Sequence, residues 1–222
     1  MTAPMTSPTS SRAVDRHAQW SAQRPLIAIL RGIVPDETPA HVDALIAAGI
    51  GLIEIPTNSP DWLRSVRAAL ATAGERAMIG AGTVLNEADA DALADTGAGL
   101  MVTPNTHPAV IRRAVARGLF CAIGFSTPSE AFAALDAGAH ALKLFPASSY
   151  GPGYVRALKA VLPPSVPVLA VGGIHPDNLS DYLQAGCAGA GLGSDLYRPG
   201  QTPAATRARA ERFVAAHQSH QP

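Results

Sequence analysis

Two cysteines are all that the 222 residues contain, and Cys121 and Cys187 lie far apart with no CxxC partner or histidine pair beside either. That scarcity argues against a disulfide-stapled scaffold and a cysteine-based metal site, and it predicts two buried free thiols. Nowhere do 18 apolar residues run without interruption, so no membrane span is expected. Charge is sparse and balanced, with 17 basic and 17 acidic side chains. No basic run offers a nucleic-acid footprint, and no acidic block offers a solvated tail. Aromatic residues make up 5% of the chain against 47% hydrophobic residues in all, so the core must be built mainly of small aliphatic side chains. The fingerprint GxGxxG is missing where the first strand candidate runs into "LRGIVPDE", which disfavours the alternative of an open dinucleotide-binding sheet.

What is present begins with a Ser-, Thr- and Pro-rich segment, "MTAPMTSPTSSRAVD", which lacks the apolar run of a secretory signal. Residues 1–20 are read as a flexible N-terminal extension and residues 21–222 as one folded domain, with a cytoplasmic location as the expectation. From residue 25 onward, short apolar runs alternate with longer segments of helical period. The strand candidates are 26–32, 51–56, 77–83, 100–105, 119–125, 141–146, 166–173 and 189–194. Helix candidates between them, such as "DETPAHVDALIAAG", "NEADADALADTG", "HPAVIRRAVARG" and "TPSEAFAALDAG", start at capping residues and close at glycine. Eight such units predict an α/β fold, a single-domain (β/α)8 TIM barrel.

In such a barrel, chemistry collects at the carboxyl ends of the strands. There the apolar runs are broken by Arg31, Glu54, Thr83, Asn105, Lys143 and Ser194, and the seventh run ends in the pair Gly172 and Gly173. Lys143 stands in "ALKLFP" and Glu54 in "LIEIP", each an ionisable group in an apolar strand. Taken alone, either window also fits a solvent-facing or snorkelling side chain. Facing each other inside a closed barrel, they form an amine nucleophile and a proton-transfer group, the equipment of imine chemistry. The glycine-rich ends "AVGGI" and "GLGSD" fit the phosphate site that barrels build after strands seven and eight, although glycine also serves tight turns.

The phrases "PLIAILRGI", "IEIPTNSP", "IGAGTVL", "MVTPNT", "ALKLFPAS", "GPGYVRALKAVLP", "AVGGIHPDNL" and "AGCAGAGLGSDLYRPGQ" span residues 25 to 201. Through them the chain resembles the 2-keto-3-deoxy-6-phosphosugar-acid aldolases, the KDPG/KHG family, and its phosphogalactonate branch more than its phosphogluconate branch. The resemblance implies a metal-free, cofactor-free class I aldolase, homotrimeric, that cleaves 2-dehydro-3-deoxy-6-phosphogalactonate to pyruvate and glyceraldehyde 3-phosphate. It implies Lys143 as the imine-forming lysine, Glu54 as the acid/base, and Thr83 on the pyruvate carboxylate. Arg31, Gly172, Gly173, Gly193 and Ser194 are implied as the phosphate pocket, with the carboxylate end as the alternative for Arg31.

Two positions depart from the phosphogluconate pattern: Asn58 stands in place of an arginine, and Val171 in place of a threonine near the C4 hydroxyl that separates the two substrates. The alternatives in substrate are therefore the phosphogluconate epimer or both epimers. Pro104, Asn105 and Phe145 are expected to line the pocket or to serve as turn and packing residues. His107, His140 and His175 have no mutual metal-ligand spacing and fit surface or capping roles, and Trp62 fits packing. Two other readings stand beside the lyase: a phosphate-binding isomerase that does not use Lys143, and a non-catalytic sensor of phosphorylated sugar acids.

Overall fold

A computed structural model describes residues 16–219. Eight parallel strands close into a barrel in chain order. They are β1 (Leu26–Ile29), β2 (Leu52–Pro56), β3 (Met78–Gly82), β4 (Leu100–Val102), β5 (Phe120–Phe125), β6 (Ala141–Leu144), β7 (Val168–Val171) and β8 (Gly189–Leu192). A helical segment, α1 (16–21), precedes β1. The helices α2 (Thr38–Ala47), α3 (Trp62–Ala73), α4 (Glu87–Asp95) and α5 (Pro108–Ala116) follow the first strands in turn. The second half is wrapped by α6 (Pro128–Asp136), α7 (Ala147–Lys159), α8 (Pro176–Gln184) and α9 (Pro203–Gln218). All eight expected strands form, and the barrel prediction is met. Six of the eight strands stop one to three residues before their expected ends, where polar, proline and glycine residues leave the sheet to build the mouth, and β2 and β5 end where expected.

Local chemistry explains where the helices start. Asn86 caps α4 by accepting from the backbone N–H of Asp89, and Thr127 with Glu130 forms a reciprocal capping box on α6. His107 caps α5 by accepting from the N–H of Val110, Nδ1 of His140 accepts the N–H of Cys121, and at the start of α8 the N–H of His175 donates to the Asn178 side chain. Trp62 packs against the outer core at the start of α3, and both cysteines are buried and free. Among the described residues no helix is long and apolar enough to cross a membrane.

Strand side chains alternate between two cores. One set faces the helices, and the other fills the barrel interior with Ile27, Leu52, Met78, Leu100, Phe120 and Leu169 among its members. Residues 16–20, expected in the extension, depart from that reading, whereas residues 1–15 lie outside the described residues. Trp20 of α1 is 8% exposed and stacks on Phe120 with ring centroids 4.3 Å apart. Gln19 donates to the carbonyl of Ala77, and Arg16 to those of Gly97 and Ala98, all just before β3 and β4. The helix thus closes the amino-terminal end of the barrel, a role hidden by the polar residues around a single tryptophan. Truncating it removes a large buried ring, so Trp20→Ala is expected to cost about 3–5 kcal/mol, measured as the loss in urea unfolding free energy.

Candidate active site

Period-two alternation decides where the two ionisable strand residues point. Glu54 shares the face of Leu52 on β2, and Lys143 shares the face of Ala141 on β6; both partners belong to the interior core. Both charges therefore face the barrel axis. Glu54 is aligned with Ile29 of β1 and Gly80 of β3, and Lys143 with Gly124 of β5 and Leu169 of β7. Glycines make the room that the polar side chains need. A Cβ on Gly82 would sit 2.1 Å from Glu54 Oε2, so the carboxyl group lies directly against that backbone.

Burial sets the chemistry of the pair. Glu54 is 1% exposed, and its Oε2 has no hydrogen-bond partner. Desolvation pushes the carboxyl group up to about 7, opposed by the charges of Lys143 and Arg31 and by a bond from the Gly82 backbone. Lys143 is 6% exposed, and desolvation brings its amine down to about 8; the charge of Glu54 opposes that shift, and Arg31 adds to it. Near neutral pH a usable fraction of the amine is therefore unprotonated and nucleophilic, next to a carboxyl group able to hold or release a proton. The Phe145 ring covers the amine, its centroid 5.1 Å from Nζ.

Above this pair a cleft of about 680 Å3 opens at the carboxyl ends of the strands. Arg31 and Thr83 line it on the β1 and β3 side, Pro104 and Phe145 opposite, and Val171, Gly172 and Gly173 after β7, with Gly193 and Ser194 after β8. Nine of the positions expected at a substrate site thus border one cleft. Lys143 and Glu54 are not among the residues that line it, although Glu54 is in register with Ile29 of its wall. Asn58 stands outside it but accepts from the Arg31 guanidinium at 2.7 Å. A second Arg31 nitrogen reaches Thr83 Oγ1 at 3.4 Å. The expected phosphate role of Arg31 thus meets a different geometry, in which the guanidinium leans toward β2 and β3.

Thr83 has φ of 57°, an uncommon conformation for a β-branched residue, and its carbonyl accepts a 2.7 Å bond from Thr57 Oγ1. Gly172 and Gly173 have φ of 94° and 72°. Their carbonyls turn outward, to the Ser148 N–H and the Asn178 side chain. Since a trans peptide holds N–H opposite C=O, the amides that follow turn the other way, as an anion site requires. Asn105 is a turn residue instead of a wall residue, its carbonyl accepting from Thr103 Oγ1. Asp195, Tyr197 and Arg198 also line the cleft. No local signal in the sequence marks these three as wall residues, because nothing local tells how the chain turns after Ser194.

Fold and site together define a (β/α)8 barrel with a desolvated lysine and glutamate in its interior and a glycine-rimmed cleft at its mouth, an arrangement that fits the class of the lysine-dependent lyases. The family model described as KDPG and KHG aldolase matches residues 19–208, and the chain belongs to that family. Among its relatives, 2-dehydro-3-deoxy-6-phosphogalactonate aldolase of Escherichia coli (strain K12) is 56% identical over 199 residues, covering 90% of this chain and 97% of that one. A probable 2-dehydro-3-deoxy-6-phosphogalactonate aldolase of Rhizobium meliloti (strain 1021) is 49% identical, covering 92% and 96%. A solved structure described as native KDPGal superposes with a TM-score of 0.89 at 55% identity, covering 91% of this chain and 98% of that one.

The charge balance around Lys143 is open to a titration. Reductive methylation by formaldehyde and borohydride requires the free amine, so labelling of Lys143 is expected to rise with pH through about 8 instead of the ordinary 10.5. The carboxylate of Glu54 holds the proton on the amine; Glu54→Gln therefore moves the midpoint to lower pH. Mass spectrometry of the Lys143 peptide reads both midpoints.

Proposed function

We propose that the protein is a class I aldolase that cleaves 2-dehydro-3-deoxy-6-phosphogalactonate to pyruvate and D-glyceraldehyde 3-phosphate in galactonate breakdown. The observation that carries this reading is the desolvated amine of Lys143 opposite the buried carboxyl group of Glu54. The Lys143 amine attacks the C2 ketone, and Glu54 returns a proton to the carbinolamine oxygen as water leaves and the imine forms. Removal of the C4 hydroxyl proton, with Glu54 as base directly or through a water, breaks the C3–C4 bond. Its electron pair moves into the imine to give an enamine, and the aldehyde departs. Protonation at C3 and hydrolysis then release pyruvate and free the lysine.

On this reading Thr83 and Arg31 hold the substrate carboxylate, with Asn58 fixing the guanidinium, and the glycines after β7 with Gly193 and Ser194 hold the phosphate. The side of the barrel to which Arg31 leans favours the carboxylate role over the phosphate one. Pro104 and Phe145 wall the reacting carbons. Val171 offers the C4 region a methyl where a hydroxyl would offer a hydrogen bond, which favours the galactonate epimer. A homotrimeric, cytoplasmic enzyme is carried with the proposal on the family resemblance.

Borohydride trapping in the presence of pyruvate tests the chemistry. A covalent adduct at Lys143 is expected in the wild type, and Lys143→Ala is expected to lose both adduct and cleavage. Normal turnover without the lysine refutes the reading. Epimer choice is tested separately by kcat/KM on the phosphogalactonate and phosphogluconate substrates. The former should be preferred, and Val171→Thr should narrow the gap; equal efficiency in the wild type counts against the role given to Val171.

A further inference from the structure

The phosphate end of the cleft has backbone donors, but Arg31, the cation expected there, is bonded toward the other side. Arg198 occupies the vacancy in charge. It lines the cleft together with Gly172, Gly173, Gly193 and Ser194. Its Nε donates to the Ser194 carbonyl at 2.9 Å, tying the root of the guanidinium to the turn that borders the anion site. Among the described residues, no hydrogen bond engages its two Nη nitrogens. From α9, Arg209 donates to the carbonyls of Ser194 and Asp195 at 3.4 and 3.3 Å.

Two consequences follow from this clasp. A trans peptide points its N–H away from its C=O, so the Asp195 amide faces away from the arginines that hold the Ser194 carbonyl. Hydrogen bonds to that carbonyl also polarise the peptide and strengthen the amide as a donor. Asp195 brings an opposing carboxylate to the same rim and forms no ion pair with either arginine among the described residues. Arg198 is the guanidinium on the cleft wall, whereas Arg209 buttresses the turn from the neighbouring pocket, and a guanidinium with two unengaged Nη groups matches two oxygens of a phosphate ester.

We propose that Arg198 binds the substrate's phosphate and determines the preference for phosphorylated over unphosphorylated 2-keto-3-deoxy acids. The inference rests on the aldolase reading above. It is tested by comparing wild type, Arg198→Gln and Arg198→Lys on the phosphorylated substrate and on the same acid without phosphate, with inorganic phosphate as competitive inhibitor. Loss of a charged hydrogen-bonding partner is expected to raise both the KM for the phosphorylated substrate and the Ki for inorganic phosphate about 10- to 100-fold in Arg198→Gln. The penalty disappears with the unphosphorylated acid, and Arg198→Lys recovers part of the loss.

Trapping of pyruvate at Lys143, which involves no phosphate, shows that a variant is folded. A measurement on the wild type needs no variant at all: phenylglyoxal should label Arg198, and inorganic phosphate should slow that labelling. Unchanged KM and Ki in a variant that still traps pyruvate overturn the proposal, as does labelling that phosphate does not slow. Absence of the pyruvate adduct in the wild type overturns the aldolase reading instead, and phosphate protection of Arg198 then decides the anion contact by itself.

Discussion

Removing water from one amine and one carboxyl group inside a closed barrel is the constraint on which everything else turns. In water the two groups would titrate about six units apart and would be fully charged at neutral pH. Inside the barrel, desolvation brings the lysine down to about 8 and the glutamate up to about 7, so that either proton is exchangeable near neutrality. The mutual attraction of the pair opposes both shifts without cancelling them. Buried charge of this kind works against stability, and its presence in an otherwise aliphatic interior is the mark of a site kept for chemistry.

The barrel separates along its axis into two regions with different duties. Its amino-terminal half is packed by Ile27, Leu52, Met78, Leu100, Phe120 and Leu169 and closed by Trp20 from α1. That half supplies cohesion. Its carboxyl-terminal half carries glycines at inward positions, Gly82, Gly124 and Gly191, where any larger side chain would collide with its surroundings. Space freed in this way is occupied by Glu54 against Gly82, while Lys143 lies in register beside Gly124. Small residues and low aromatic content in the sequence are therefore the counterpart of two long polar side chains held indoors.

Around the rim, charge is divided between opposite sides. The Arg31, Asn58 and Thr83 group gathers the loops after β1, β2 and β3, and the glycine turns with Arg198 gather those after β7 and β8. On the proposed reading, an extended dianionic substrate is held at both ends, with its ketone lowered toward β6. Such an arrangement leaves the reacting bond no freedom to drift from the amine.

The eight strands were legible because each is a short apolar run bounded by cap residues and glycine, and those signals act within a few residues of one another. Lys143 and Glu54 were legible for a related reason: a charge interrupting an apolar strand stands out, and alternation then assigns its face. Trp20 was not, since its value comes from Phe120, a hundred positions away in the chain, and its own neighbours are polar. Arg198 was missed because the path after Ser194 depends on bonds from α9. By itself, then, the sequence determined the elements, their order and the identity of the two ionisable residues set in apolar strands, all consequences of local periodicity and composition. Which side Arg31 leans to, what plugs the barrel's floor and how far each proton affinity moves were decided only by the tertiary structure, because desolvation and long-range hydrogen bonds exist only once distant segments meet.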